Sequence, residues 1–123
     1  ESKRFGIITC YDLRFPELAR HLIGQGADAL LVPAAWSDGP FKEEHWSVLL
    51  RARAIENTAY VIAAGQCGDG YSGRSAIIDP FGAEVAAVAE NEGFATGDLR
   101  RDRLEHVRGR LPVLEHRRFS VSS

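Results

Sequence analysis

The sequence predicts an α/β domain: a mixed β-sheet with helices packed on one of its faces. Three observations carry that prediction. Short apolar, β-branched runs alternate with stretches of helical periodicity in the order βαβαβ. The last apolar runs are joined by tight-turn signals, as antiparallel strands are. A chain of 123 residues with 45% hydrophobic and 26% charged residues supports one modest core and not two.

The elements follow in order. Phe5 to Thr9 is an apolar strand that runs straight into Cys10 in the string FGIITC. The next segment, YDLRFPE, turns into a helix, because Pro16 suits a first helical turn and Glu17 complements the positive end of the helix dipole. That helix is expected from about Pro16 to Gln25, ended by Gly24 and Gly26. Ala29 to Val32 forms a second strand, closed by Pro33 ahead of the loop AAWSDGP and its Asp38-Gly39-Pro40 breaker. From Lys42 to Asn57, Trp46, Leu49, Leu50, Ala54 and Ile55 fall on one face at helical spacing, with acidic residues first and arginines later. Tyr60 to Ala64 and Ser75 to Ile78 read as buried strands, and the turn Asp79-Pro80-Phe81-Gly82 leads into Glu84 to Val88 as a hairpin. Phe94 to Leu99 is expected to add a strand, Arg101 to Arg110 a short polar helix, and residues 111–123 an irregular tail. This layout leaves the second sheet face and at least one sheet edge in need of a partner.

Composition excludes several classes. No window reaches the roughly 18 apolar residues of a membrane span, and no signal-peptide pattern opens the chain, so a cytoplasmic site without membrane contact is expected. The chain has no methionine and opens on Glu1 directly before a strand, which reads as a piece of a longer domain. Cys10 and Cys67 stand far apart without CxxC spacing, so no zinc or other metal site, no cofactor and no disulfide framework is suggested. The net charge of −2 hides an asymmetry: residues 100–118 hold seven arginines against Asp102, Glu105 and Glu115, +4 there and −6 elsewhere. Without interleaved aromatics this stretch reads as a solvated helix face, and no nucleic-acid partner is predicted.

Cys10 carries the chemistry. A strand cysteine taken alone is most often an inert buried thiol. Here the thiol sits at a strand-to-helix elbow, where helix-end N–H groups favour an anion and the backbone N–H of Tyr11 is in position to hold a developing oxyanion. The surrounding string TCYDLRFPEL resembles the nucleophile motif of the nitrilase (carbon-nitrogen hydrolase) superfamily. ADALLVPAAW resembles that family's second strand and loop, HWSVLLRARAIENTAYVIAAGQCG its helix-strand unit, GRSAIIDPFG its later hairpin and LPVLEHRR its tail. Together these motifs cover nearly all of Gly6 to Arg118, and the string looks closest to the omega-amidase and deaminated-glutathione amidase branch.

The resemblance implies an αββα sandwich of which residues 1–123 form the C-terminal portion. It also implies an amidase that passes its acyl group through a thioester on Cys10 to water, acts on a small-molecule amide and forms a homodimer or larger homo-oligomer. The family's Glu base and Lys come from earlier in its chain, so no residue here inherits either role. Glu1 and Lys3 cannot substitute, since an extended strand puts them roughly 30 and 23 Å from Cys10. On this reading the chain alone is inactive; the contrasting reading is a non-catalytic fragment or interaction module with a vestigial thiol.

Other residues carry weaker expectations. Asp12 and Arg14 are expected to brace the elbow, with Arg14 also able to grip a substrate carboxylate. Glu17 supports the following helix. Trp36 either lines the acyl pocket or simply packs. His45, beside Glu44, offers a rival Cys-His dyad that the resemblance argues against. Arg51, Arg53 and Glu56 read as ion-pair partners on a helix that the resemblance assigns to dimer packing, and Cys67 as an inert strand thiol.

Overall fold

The structure, a computed structural model, describes residues 3–122. Its order is β1 (Phe5–Ile7), a 3-10 turn (Cys10–Arg14), α1 (Pro16–Gly24), β2 (Ala29–Ala34), α2 (Lys42–Asn57), β3 (Tyr60–Gly65), β4 (Ala76–Ile78), β5 (Glu84–Ala87), α3 (Arg101–Arg110) and α4 (Val113–His116). The five strands form one sheet in sequence order. β1, β2 and β3 are parallel, joined by α1 and α2 as crossovers, while β4 and β5 return antiparallel as a hairpin with an irregularity between Ile77 and Ile78.

Strand alternation decides which face is covered. Leu30, Val32, Val61, Ala63 and Ile78 point to the face on which Ala19, Ile23, Trp46, Leu50 and Ala54 of α1 and α2 pack, forming the main core. Residues of the opposite parity, Ala29 and Tyr60, meet Leu104, so α3 covers that face only at the strand starts. Toward the strand ends this second face stays open, with Pro33 and Ala64 exposed, and on the edge strand β1 Phe5 is 48% and Ile7 60% exposed. The apolar face and the β1 edge that the sequence left without partners are therefore present.

The structure adjusts several expected elements. Pro33 does not close β2; the strand runs through it to Ala34, with Pro33 opposite Ala64. Leu31 accepts the Ile8 N–H from the β1 side and Ala34 accepts the Gln66 N–H from the β3 side, so the missing Pro33 N–H falls toward β1, beyond its last strand residue. No bond of the β2–β3 ladder is lost. Residues 94–99 are not a strand, although the segment passes close to the sheet, where a Cβ on Gly97 would lie 3.4 Å from Ile77. Within the expected irregular tail, Val113–His116 forms one helical turn that brings Leu114 onto the core.

On α2 the buried face is Trp46, Leu50, Arg53, Ala54 and Asn57. Ile55 lies off it, with its side chain over Gly82, where an added Cβ would come within 2.6 Å of it. Arg53, only 4% exposed, is the polar centre of the helix layer. Its Nε donates to the Leu13 carbonyl at 3.0 Å and its Nη1 to Glu56 Oε1 at 2.8 Å. Asn57 Nδ2 donates to the Arg53 carbonyl, and Arg20 of α1 donates to Asn57 Oδ1 and the Glu56 carbonyl, both at 2.8 Å. The expected Arg53–Glu56 pair forms, whereas Arg51 donates to the Gly82 carbonyl instead of an acid.

Charges also tie the strand starts together. Asp28 accepts the Arg4 N–H at 2.9 Å and the Arg101 guanidinium at 2.8 Å. Arg103 reaches Asp79 at 2.9 Å, Arg100 reaches Asp102 and Arg108 donates to the Thr58 carbonyl, so much of the arginine-rich stretch is engaged within the chain. Among the described residues no helix is long and apolar enough to cross a membrane.

Two predictions follow from these contacts. Arg53→Met leaves the Leu13 carbonyl buried without its donor and is expected to lower the urea-unfolding free energy by about 1–3 kcal/mol. Burial pushes the Asp28 pKa up, but the Arg101 hydrogen bond and the Arg4 N–H outweigh it and hold the carboxyl below its ordinary 3.8. A pKa depressed on folding adds stability above the unfolded value and loses it as pH falls through the folded one. Asp28→Asn is therefore expected to flatten the acid limb of stability against pH below about 4 while leaving its slope near neutrality unchanged.

Candidate active site

Cys10 begins where β1 ends. Its backbone is left-handed, with φ 49°, in the small region that non-glycine residues seldom occupy and that costs about 1–3 kcal/mol when imposed. The 3-10 turn that follows explains how it is held. Asp12 N–H donates to the Thr9 carbonyl at 3.0 Å as the first bond of the turn, and Phe15 N–H closes it on the Asp12 carbonyl at 3.1 Å. Tyr11 N–H precedes that bonded run. Leu13 is fully buried beneath, with its carbonyl gripped by Arg53.

The carboxyl ends of the parallel strands open into a cleft of about 210 Å³ lined by Cys10, Tyr11, Arg14, Ala35, Trp36, Ser37 and Lys42. Trp36 is its wall. The indole is 4% exposed, donates its Nε1–H to the Lys42 carbonyl at 2.8 Å and packs at 5.3 Å on Trp46. It thus both packs and lines the cleft. Trp46 in turn donates to the Arg74 carbonyl at 2.8 Å, tying the wall to the loop after β3. That loop is tightly set, since a Cβ on Gly65 would fall 2.2 Å from the Gly73 carbonyl. Arg14 lies over the Trp36 ring, its guanidinium carbon 4.7 Å from the centroid.

Four of the residues expected from the sequence therefore meet: Cys10, Tyr11, Arg14 and Trp36. Tyr11 lines the cleft and is 65% exposed, with its ring edge-on to Phe15 at 5.4 Å. Asp12 and Glu17 are exposed and outside the cleft lining. Asp12 does not pair with Arg14; its carbonyl caps the turn, and Arg14 turns toward Trp36 and His45. Arg14 Nη2 lies 3.4 Å from His45 Nδ1, so that nitrogen is the acceptor, and among the described residues no hydrogen bond joins His45 to Cys10.

Lys3 precedes β1, at the opposite end of the strand from Cys10, and Glu1 lies outside the described residues. Cys67 is not a strand residue: it follows β3 in a loop, half-buried, with a free thiol. Lys42 and Ser37 were missed by sequence reasoning. The signal was there in Lys42, a cation at a helix start otherwise marked by Glu43 and Glu44. Among the described residues no group of three or more His, Cys, Asp or Glu is placed to hold a metal ion.

Known proteins share this arrangement of sheet and helices. The chain is 51% identical over 120 residues to the deaminated glutathione amidase of Escherichia coli O157:H7, covering 98% of this chain and 46% of that protein. Saccharomyces cerevisiae Nit3, a member of branch 10 of the nitrilase superfamily, superposes with a TM-score of 0.85 at 34% identity, over 94% of this chain and 44% of that one. An amidase variant from Nesterenkonia sp. AN1, carrying the product of Michael addition of acrylamide at its active-site cysteine, superposes with a TM-score of 0.73 at 30% identity, over 90% of this chain and 44% of that one. The chain thus spans about half the length of these proteins. Residues 1–109 match the carbon-nitrogen hydrolase family, and the chain belongs to it.

Proposed function

We propose that Cys10 is the nucleophile of an amidase that opens the C–N bond of a small amide, in a protein of which this chain forms part. The observation that carries the reading is the seat of the cysteine. Its strained backbone sits at the carboxyl ends of the parallel strands, in a cleft walled by a tryptophan and bordered by Arg14 and Lys42. The cysteine adduct described for the Nesterenkonia amidase and the activity named for the E. coli relative support the same chemistry.

In this mechanism the Cys10 sulfur attacks the amide carbonyl carbon and the carbonyl electron pair moves onto oxygen. Tyr11 N–H donates to that oxyanion. The pair returns, the C–N bond breaks, and the nitrogen takes a proton to leave as ammonia, giving a thioester. Water then adds to the thioester, the C–S bond breaks, carboxylate departs and the thiol is restored. Trp36 walls the acyl pocket and Arg14 takes a carboxylate on the substrate; Asp12 and Glu17 act only in supporting the turn and α1.

The cleft supplies cations but no carboxylate among its lining residues, so the base that takes the thiol proton must come from elsewhere. The chain by itself is accordingly inactive. In the whole protein the uncovered sheet face packs against the second sheet of the sandwich, and the assembly is a cytoplasmic homodimer.

Ammonia release separates these claims. With 2-oxoglutaramate the 123-residue chain is expected to give none above buffer, and turnover that vanishes in Cys10→Ala overturns its inactivity. A longer parent polypeptide is expected to turn over, and Cys10→Ala to lower its kcat at least about 10³-fold. Full activity in that variant removes Cys10 as nucleophile.

A further inference from the structure

Lys42 is out of place as a helix residue. It is the first residue of α2, where unpaired N–H groups and the helix dipole disfavour a cation, and Glu43 and Glu44 follow as that dipole favours. Its main chain is already used, since its carbonyl accepts Trp36 Nε1–H at 2.8 Å. Its ammonium turns back over the cleft, donating to Ser37 Oγ at 3.2 Å and lying 5.9 Å from the Trp36 ring centroid. Arg14 lies 4.7 Å from the same centroid. One indole thus gathers two cations, which repel each other.

No acid among the cleft residues offsets them. The acids of the neighbouring segment line an adjacent cleft instead: Asp38, Glu43 and Glu44, with Glu43 also paired to Arg74 at 2.9 Å. Two like charges beside an apolar wall without a counter-ion form a seat for an anion, and binding one relieves their repulsion. At about 210 Å³ the cleft has room for a short acyl chain.

We propose that Lys42 is a specificity-determining residue that, with Arg14, makes the Cys10 cleft accept small amides whose far end is a carboxylate. The inference rests on Cys10 being the reactive thiol. Lys42 neither takes nor gives a proton in the reaction; it sets which acyl group is held beside the sulfur.

Charge-selective alkylation tests this without needing turnover. The full chain is treated at low ionic strength with iodoacetate or with neutral iodoacetamide; in each, the C–S bond forms as the C–I bond breaks and iodide leaves. Peptide mass spectrometry reads Cys10 and Cys67 separately. The iodoacetate-to-iodoacetamide rate ratio is expected to be higher at Cys10 than at Cys67. Lys42→Met is expected to lower it at Cys10 alone by about threefold, the factor for one charge at roughly 6 Å in water, and Lys42→Arg to restore it. Lys42→Met keeps the Trp36 bond, which uses the Lys42 main chain, and removes a cation from a helix start, so the fold is retained. A reactive Cys10 whose ratio is unchanged in Lys42→Met, or no higher than that of Cys67, overturns the inference alone. Full activity of Cys10→Ala in the longer polypeptide overturns the nucleophile reading and the inference with it.

Discussion

The hydrogen bond from buried Arg53 to the Leu13 carbonyl is the constraint around which the site is built. A carbonyl inside a short turn has no helix to satisfy it, and leaving it bare in the core costs about 1–3 kcal/mol. Arg53 supplies the donor from the next helix but one in the chain, and its own charge is met by Glu56 at 2.8 Å. The same set of groups, through Asn57 and Arg20, locks α1 against α2. The turn that bears Cys10 is therefore fixed from below by a network that spans both crossover helices, and this lets a strained residue persist at its start.

Left-handed backbone recurs at the joints around the cleft. Cys10 sits after β1, Phe41 just before α2 and Arg74 in the loop ahead of β4, with φ of 49°, 60° and 61°. Each sits beside a group held by tertiary contacts. Trp36 and Trp46 pack on each other, tilted by 45°, and donate to the carbonyls of Lys42 and Arg74, so the two indoles fasten the loops at these joints. The cleft wall and the loop geometry are a single packed unit, so the tryptophans shape the site as well as fill it.

Much of this was legible in the chain. The βαβαβ order, the two crossover helices and the hairpin followed from periodicity and turn residues, because each element buries one face on a local repeat. Cys10, Tyr11, Arg14 and Trp36 were legible because they stand at strand ends, where a parallel sheet opens. The misses have particular causes. Residues 94–99 have strand-like composition, yet Phe94 is 85% exposed and the segment forms no ladder. Pro33 looked like a strand end, but its missing N–H faces a side where β1 has already stopped. Ile55 fitted the apolar stripe of α2, while Arg53 and Asn57 occupy the core in its place because their polar groups find partners there.

The sequence by itself determined the family and the class of fold and singled out Cys10 as the candidate nucleophile, since these rest on local patterns and on motifs in a fixed order. Only the tertiary structure decided what surrounds that cysteine. Arg14 faces Trp36 and His45 and not Asp12, and Lys42, some thirty residues beyond the thiol, enters the same cleft. Those are contacts between the ends of separate strands and the start of a helix. Their pairing depends on how β1, β2 and α2 are laid side by side, which no local repeat encodes.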